Sequence, residues 1–472
     1  MRLDRISCVA LALALASIPG SVWAGGGVAP EAASLSLWWG LPFAGMLLSI
    51  ALLPLFAPSL WHHQGKIAIG WALLFLVPYA ARFGADAVAQ TVVRTLLDEY
   101  VPFVILLTTL YTVSGGIAVR GNLHGSPAQN TLLLGIGALL ASVMGTTGAA
   151  MLMVRPVIRA NDGRRHNAHV LVFFIFLVAN AGGALTPLGD PPLFLGFLKG
   201  VDFFWTLRHL LAPTALLCVL LLGGFHLLDR WYWRQEGERK RFDPTPDSPL
   251  RVVGRWNLLW LAAVVAAVLV SGIWKPGASV SVLGQPIELQ HLARDAALIV
   301  IAALSLLSTP AAARRENHFD WAPMVEVGKL FLGIFLTIVP VIAILRAGEA
   351  GAMAGLVRLA SDAQGQPIAA AYFWMAGALS SFLDNAPTYL VFFNLAGGDP
   401  ARLMGEVTTL AAISAGAVFM GAVTYIGNAP NFMVKAIAEQ RGVRMPSFFG
   451  YIGWSLALLL PCFLILTLVF FR

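Results

Sequence analysis

The sequence predicts an all-α membrane protein that crosses the bilayer many times. Hydrophobic residues make up 58% of its 472 residues and charged residues only 12%, whereas about 25% of residues are charged in a soluble domain. The mean hydropathy is +0.77, and the apolar runs are long enough for spanning helices. These runs lack the alternation of outer-membrane strands. This composition argues against water-soluble enzymes and nucleic-acid-binding proteins. The net charge of +7 does not favour nucleic-acid binding, because membrane proteins collect Lys and Arg in their cytoplasmic loops.

Residues 1–24 have the pattern of a secretory signal peptide. Arg2 and Arg5 precede a short apolar stretch, and Ala24 ends a predicted cleavage site. A retained signal anchor is the alternative. If the signal is cleaved, the mature chain begins outside the cytoplasm.

Hydropathy divides the remaining chain into two sets of six apolar segments, 25–228 and 257–472, on either side of a basic linker, 229–256. The first set comprises 36–58, 66–84, 100–119, 130–159, 168–198 and 206–228. The second comprises 257–274, 295–309, 326–346, 369–396, 404–436 and 448–470. In each set, Gly, Pro and polar residues interrupt the fourth and fifth segments. We interpret the fourth as a re-entrant hairpin and the fifth as a discontinuous helix, which predicts about ten spans and two hairpins.

Basic residues support this topology. When the N-terminus lies outside, the predicted cytoplasmic loops hold about twice as many Lys and Arg residues as the opposite loops. The richest are 155–167 and the linker. If segment 130–159 crossed the membrane fully, its basic end would lie outside, against this bias.

Two stretches of sequence 238 residues apart match each other. GALTPLGDPPLF begins at Gly183 and GAVTYIGNAPNF begins at Gly421, and Asp190 of the first corresponds to Asn428 of the second. Chance similarity between apolar sequences is the alternative explanation. The predicted topology relates the two halves by inversion. Inverted repeats with discontinuous helices are typical of secondary transporters, whose sites lie where the breaks meet.

The breaks contain the candidate binding residues. Unwound backbone inside a bilayer must be buried in protein or line a cavity. Its oxygens can bind a hard cation, and the N-terminal ends of half-helices can bind an anion. Asp190 and Asp384 are the acids at the breaks. Burial disfavours an ionised carboxyl, so each acid could hold a proton or a cation in turn. Each could instead cap a half-helix or lie in water at a shallow depth.

Neutral oxygen atoms near these acids are further candidate ligands. The first candidates are Thr186, Asn385, Thr424 and Asn428. The secondary candidates, which could equally pack helices together, are Thr146, Thr147, Asn180, Ser381 and Asn431. The three cysteines lack the spacing of metal ligands, and nucleotide-binding, metalloprotease and serine-hydrolase motifs are absent. We therefore expect no enzyme activity and no cofactor or resident metal.

TPLGDPP at Thr186–Pro192 and SSFLDNAP at Ser380–Pro387 resemble motifs of the ion transporter superfamily, and the resemblance extends over about residues 36–472. That superfamily includes sodium:proton antiporters of the NhaD type, arsenite permeases of the ArsB type, citrate carriers and divalent-anion symporters. The chain looks most similar to a bacterial subgroup described both as sodium:proton antiporters and as citrate transporters. The resemblance implies cation or proton binding at Asp190, Asp384 and Asn385. It also implies a transport domain that moves against a scaffold, often in a dimer.

A sodium:proton antiporter of the bacterial inner membrane is the leading hypothesis. Its expected partners are a monovalent cation, protons and membrane lipid, with no nucleic acid, and a homodimer is possible. The alternative is a cation- or proton-coupled carrier of citrate or another carboxylate, and export of an oxyanion such as arsenite comes third. Divalent-anion symporters usually carry Ser-Asn-Thr at both hairpin tips. Here the tips are Gly145-Thr146-Thr147-Gly148 and Asp384-Asn385-Ala386-Pro387, which weakens the carboxylate hypothesis.

Overall fold

The computed structural model describes residues 35–121, 123–236 and 249–472. The predicted signal peptide and residues 237–248 of the predicted linker lie outside the described residues. The helices of the first half are α1 (Leu41–Phe56), α2 (Pro58–Trp61), α3 (Gln64–Phe83), α4 (Ala85–Thr95), α5 (Val101–Ser114), α6 (Pro127–Met144), α7 (Thr146–Ala160), α8 (Ala168–Leu177), α9 (Pro191–Leu198) and α10 (Trp205–Glu236). Those of the second half are α11 (Trp256–Ile273), α12 (Leu289–Ser308), α13 (Ala311–Glu316), α14 (Ala322–Arg346), α15 (Ala354–Leu359), α16 (Ala369–Phe382), α17 (Asn385–Leu395), α18 (Pro400–Gly405), α19 (Val407–Met420), α20 (Ala429–Gln440) and α21 (Phe448–Phe470).

Strands form only two small antiparallel pairs in the described chain. β1 (Ala118–Arg120) pairs with β2 (Arg251–Val253), and β3 (Ser279–Val282) pairs with β4 (Gln285–Glu288). The first pair joins a loop of the first half to the segment that leads into α11. The protein is therefore an all-α polytopic membrane protein, as the composition predicts.

Ten helical segments among the described residues are long and apolar enough to cross a membrane. The predicted number of membrane-spanning segments is right, but the set of segments differs. The ten include α6, which we predicted to be one arm of a hairpin, and they omit the apolar helix Val407–Val423, which is shorter. Length and composition alone do not distinguish a hairpin arm from a full span, because both are apolar.

The third predicted span, 100–119, begins too late. α4, a π-helical turn at Leu96–Tyr100 and α5 form one continuous helix of 30 residues from Ala85 to Ser114. The hydropathy prediction missed the first part because Asp98 and Glu99 lower its local hydropathy. α12 likewise begins at Leu289 rather than at residue 295.

Both predicted hairpins are interrupted where the sequence indicates. α6 and α7 meet at Gly145, whose φ of +81° lies in the left-handed region that glycine adopts without strain. α16 and α17 meet at Leu383 and Asp384, which are extended. The two hairpins therefore turn by different backbone routes, although each has a second arm that begins directly at its tip.

The two discontinuous helices lie at the centre of the protein. In the first, α8 ends at Leu177, and a 3₁₀ turn, Ala181–Leu185, and a second turn at 187–189 lead to α9. In the second, α19 leads through a 3₁₀ turn at Gly421–Val423 to α20. Of the window 168–185, 89% is buried within the protein, against 22% of α3. The broken helices are thus shielded from lipid by the other helices, as unwound backbone requires.

Candidate functional site

Thr186 and Thr424 each join a hairpin by a hydrogen bond to the discontinuous helix that follows it, at the break in that helix. Thr186 Oγ1 donates a hydrogen bond to the carbonyl of Ser142 in the first hairpin, and Thr424 Oγ1 donates to the carbonyl of Ser381 in the second. Each hydroxyl also accepts a bond from the backbone N–H two residues later, at 3.1 and 3.2 Å. Both hydroxyls are thus occupied by backbone, and neither residue lines the cavity described below.

The serines of the hairpins complete the same pattern. Ser142 Oγ donates to the carbonyl of Gly182, and Ser381 Oγ lies between two carbonyls, that of Gly377 in its own helix at 2.8 Å and that of Met420 at 3.1 Å. The matched sequences therefore make matched contacts in both halves. Ser381, a predicted secondary ligand, joins helices in this arrangement.

The glycines after these threonines allow a very close approach of backbone to backbone. A Cβ atom on Gly189 would lie 2.1 Å from the carbonyl oxygen of Gly183, and one on Gly427 would lie 2.5 Å from that of Gly421. Each break is therefore folded back on its own 3₁₀ turn. This contact brings Asp190 and Asn428, the next residues, to the centre of the protein.

Asp190 is the point where four half-helices meet. Its Oδ1 atom accepts hydrogen bonds from Thr146 Oγ1 at 2.9 Å and from Asn428 Nδ2 at 3.3 Å, and its Oδ2 atom accepts one from Asn385 Nδ2. The residue is 1% exposed. No Lys, Arg or His within the described ranges forms an ion pair with it. Its charge is therefore surrounded only by neutral donors.

The N-termini of the four half-helices point at this carboxyl group. Thr146 and Asn385 are the first residues of α7 and α17, while Asp190 and Asn428 directly precede α9 and α20. A helix N-terminus carries partial positive charge and N–H groups without intrahelical partners. The arrangement thus offers a negative group electrostatic compensation without a basic side chain.

Asn385 has an unsatisfied atom beside Asp190. Its Oδ1 atom is buried and has no hydrogen-bond partner among the described residues, although its Nδ2 atom is bonded to Asp190. Buried polar atoms are nearly always satisfied by protein, water or an ion. The free oxygen is therefore a candidate ligand.

Asp384 occupies a different position from Asp190. It is half-buried, and its Oδ1 atom accepts a hydrogen bond from the Ala386 backbone N–H at 3.0 Å, which caps α17. Asp190 directly precedes α9 but makes no such cap. Of the two acids, only Asp384 has the helix-capping contact that we considered as the alternative to ion binding. Asp384 also lines the cavity.

Asn180 and Asn431 lie behind Asp190. Asn180 Nδ2 donates to Asn431 Oδ1 at 2.7 Å, and Asn428 Nδ2 lies 3.2 Å from Asn180 Oδ1. Asn431 Nδ2 donates to the carbonyl of Thr424 at 2.9 Å. This buried chain of amides links the two broken helices, and neither Asn180 nor Asn431 lines the cavity.

A cavity of about 60 Å³ lies against Asp190. It exceeds the roughly 10–15 Å³ that one water molecule needs. Asp190, Asn428, Thr146, Thr147 and Asp384 contribute its polar wall. The opposite wall is formed by α5 and the beginning of α14, through Leu106, Leu107, Leu110, Tyr111, Met324, Val327 and Phe331. No Lys or Arg lines the cavity in the part of the chain that the structure describes.

The structure changes the ranking of the candidates. Thr146, a secondary candidate, contacts Asp190, whereas Thr186 and Thr424, first candidates, bond to backbone. The place of Thr146 as the first residue of a half-helix could have raised its rank among the candidates. Tyr111 was not predicted, because one tyrosine in an apolar run carries no signal in the sequence.

Comparisons with known proteins agree with a transporter. A family described as "Putative citrate transport" matches residues 32–471. Uncharacterized transporters of Mycobacterium bovis and Mycobacterium tuberculosis are each 25% identical over 331 residues, which is 68% of this chain and 71% of theirs. One from Synechocystis is 27% identical over 310 residues, 61% of this chain and 64% of its own.

Proposed function

The chain belongs to the "Putative citrate transport" family, is a multi-pass membrane transporter, and on that premise we propose that it is a sodium:proton antiporter. The observation that carries this proposal is Asp190, a buried carboxyl group contacted from three other half-helices and by no described basic residue. Such a group inside a membrane protein is costly unless it binds something. A proton and a sodium ion would occupy it in turn.

The groups around Asp190 suit both occupants. A hard cation takes oxygen ligands, and Asp190, Thr146 Oγ1 and Asn385 Oδ1 supply them. A side-chain amide has donors on its nitrogen atom and an acceptor on its oxygen atom. Rotation of the Asn385 side-chain amide by half a turn would therefore bring Oδ1 towards the Asp190 carboxyl group. With sodium bound, Oδ1 would face the ion, and with Asp190 protonated, it would accept the proton's hydrogen bond. The two states exclude each other, which is the requirement for exchange.

Thr146→Val is expected to raise the sodium concentration for half-maximal exchange by roughly ten-fold, the order expected when a hydrogen bond or ligand to a charged group is lost. Thr146→Ser keeps the hydroxyl and should remain close to wild type. Sodium titrations of exchange in membrane vesicles measure this. Equal sodium dependence in the valine and serine variants would remove Thr146 from the ligand set.

A coupled carrier of citrate or another carboxylate is the second candidate. Its support is the family's description and the four half-helix N-termini, which would favour an anion once a proton or cation neutralised Asp190. The cavity weighs against it, because the wall opposite Asp190 is apolar and the described lining holds no basic residue. A carboxylate carrier would need a wider and more polar space.

The proposal is tested by adding sodium to everted membrane vesicles that contain the full chain and hold a preformed pH gradient. Collapse of the gradient by sodium, and not by matched choline chloride, supports antiport. If sodium has no effect and the same vesicles accumulate labelled citrate, the carboxylate carrier replaces it. Vesicles without the protein serve as the background for both measurements.

The cellular setting follows from the same proposal. We place the transporter in the bacterial inner membrane, since its relatives are bacterial, with the hairpin α6–α7 open to the cytoplasm and α16–α17 open to the outside. The two halves would then be inverted repeats joined by the basic linker, 229–256. Cleavage of residues 1–24 and a homodimer belong to this proposal as well.

A further inference from the structure

A cluster of three arginines lies away from Asp190 at the other ends of two half-helices. Arg155 and Arg159 are one turn apart on α7, and Arg441 directly follows α20. α7 and α20 pack against each other, and both begin at the Asp190 site. At 1.5 Å per residue, Arg155 is about 13 Å along α7 from Thr146. In the predicted topology this is the cytoplasmic side.

Arg155 and Arg159 have buried donor atoms without partners among the described residues, and Arg441 is exposed. Arg155 forms no hydrogen bond or ion pair with any described residue, and its Nη1 atom is buried. Arg159 donates from Nη2 to the Val119 carbonyl at 2.6 Å, while its Nε atom is buried without a partner. Arg441 is close enough to repel both charges. Buried unsatisfied donors beside like charges indicate an occupant that the protein itself does not supply.

Acidic side chains offset only part of the charge of the cluster. Glu316 and Asp162 act on Arg159, and Glu316 is also paired with Arg120 at 2.6 Å. Among the described residues, no carboxylate is close enough to Arg155 to offset its charge. Tyr111 lies near Arg155 and lines the cavity, so Arg155 lies near one wall of the cavity.

We propose that Arg155, Arg159 and Arg441 form a binding site for an oxyanion, a phosphate or carboxylate group. Guanidinium groups bind such anions through paired hydrogen bonds. The bound anion would supply acceptors for the unpaired donors. It would also offset the mutual repulsion of the three arginines. The oxyanion could come from a soluble ion or from the headgroup of an anionic lipid.

The test is binding of inorganic phosphate to the purified full chain in neutral-lipid nanodiscs. Binding is measured as the rise in the apparent unfolding temperature with phosphate concentration, at constant ionic strength. Wild type should gain stability in a saturable way. Arg155→Gln and Arg441→Gln should each weaken apparent phosphate affinity by roughly ten-fold or more. Arg444→Gln, at an exposed arginine three residues beyond Arg441, is the matched control and should bind as wild type does.

A second series identifies the source of the anion. Nanodiscs with phosphatidylglycerol should weaken phosphate binding to wild type if a lipid headgroup occupies the site, and leave it unchanged if the ligand is soluble. Either result is compatible with the site. Absence of saturable stabilisation by both phosphate and the anionic lipid, or equal stabilisation of wild type and both variants, would overturn it. Binding is measured without transport, so Asp190→Asn should retain it even if the antiport proposal fails.

Discussion

Asp190→Asn is expected to reduce sodium-dependent proton movement to the background of vesicles without the protein. The variant removes the carboxyl group at which, in the proposed function, a proton and a cation exchange. It should still fold, because Asn has nearly the same shape and Asn385 Oδ1, which has no partner, could accept a bond from the new amide. Asn also stands naturally at the matched position, Asn428. The measurement is gradient collapse in everted vesicles with matched protein levels.

Asp384→Asn is the matched control for this prediction. Asparagine is as good a helix cap as aspartate, so a capping role for Asp384 leaves exchange within a few-fold of wild type. Exchange that survives Asp190→Asn and is lost in Asp384→Asn would transfer the site from the first carboxyl group to the second. Loss in both variants, with both proteins folded, would mean that the two acids act together.

Gly189→Ala and Gly427→Ala are expected to lower stability strongly. The new methyl group would lie 2.1 Å or 2.5 Å from a backbone carbonyl oxygen, and backbone cannot yield as a flexible side chain can. Overpacking of this kind typically costs roughly 1–3 kcal/mol, and the displaced break would also misplace the neighbouring Asp190 or Asn428. Thermal unfolding of the purified variants and their sodium:proton exchange measure the two effects.

Gly224→Ala provides the comparison for these glycine variants. Gly224 lies within α10, and a Cβ atom there would meet nothing within 4 Å. Alanine is favoured over glycine inside a helix by about 1 kcal/mol, so this variant should be as stable as wild type or more so. If all three alanine variants unfold at the wild-type temperature, the close backbone contacts do not constrain the breaks.

The positions of the breaks could be predicted because helix interruption is a local property. Gly, Pro and Thr near residues 186 and 424 disfavour a continuous helix whatever surrounds them, and the repeated sequence marks the same residues twice. The acid at the first break, Asp190, is conspicuous in an apolar segment for the same reason. The fold class likewise follows from composition.

The contacts of the site could not be predicted, because they join segments far apart in the chain. Asp190 and Asn385 are separated by 195 residues, and Asp190 and Asn428 by 238. The sequence ranks Asp190 and Asp384 equally, since both are acids at breaks. Only the packing shows that one is fully buried while the other is half-buried and accepts a capping bond. The arginine cluster escapes prediction because partnerless donors are a property of the folded protein.

Asn428 at the position that matches Asp190 affects the energetics of transport. If one carboxyl group at the meeting point carries one sodium ion in one direction and one proton in the other, no net charge crosses the membrane in a cycle. Moving a net charge would couple transport to the membrane potential by about 2.3 kcal/mol per 100 mV, whereas a one-for-one exchange is electroneutral. Such a transporter would respond to the two concentration gradients alone and would keep working in a depolarised cell.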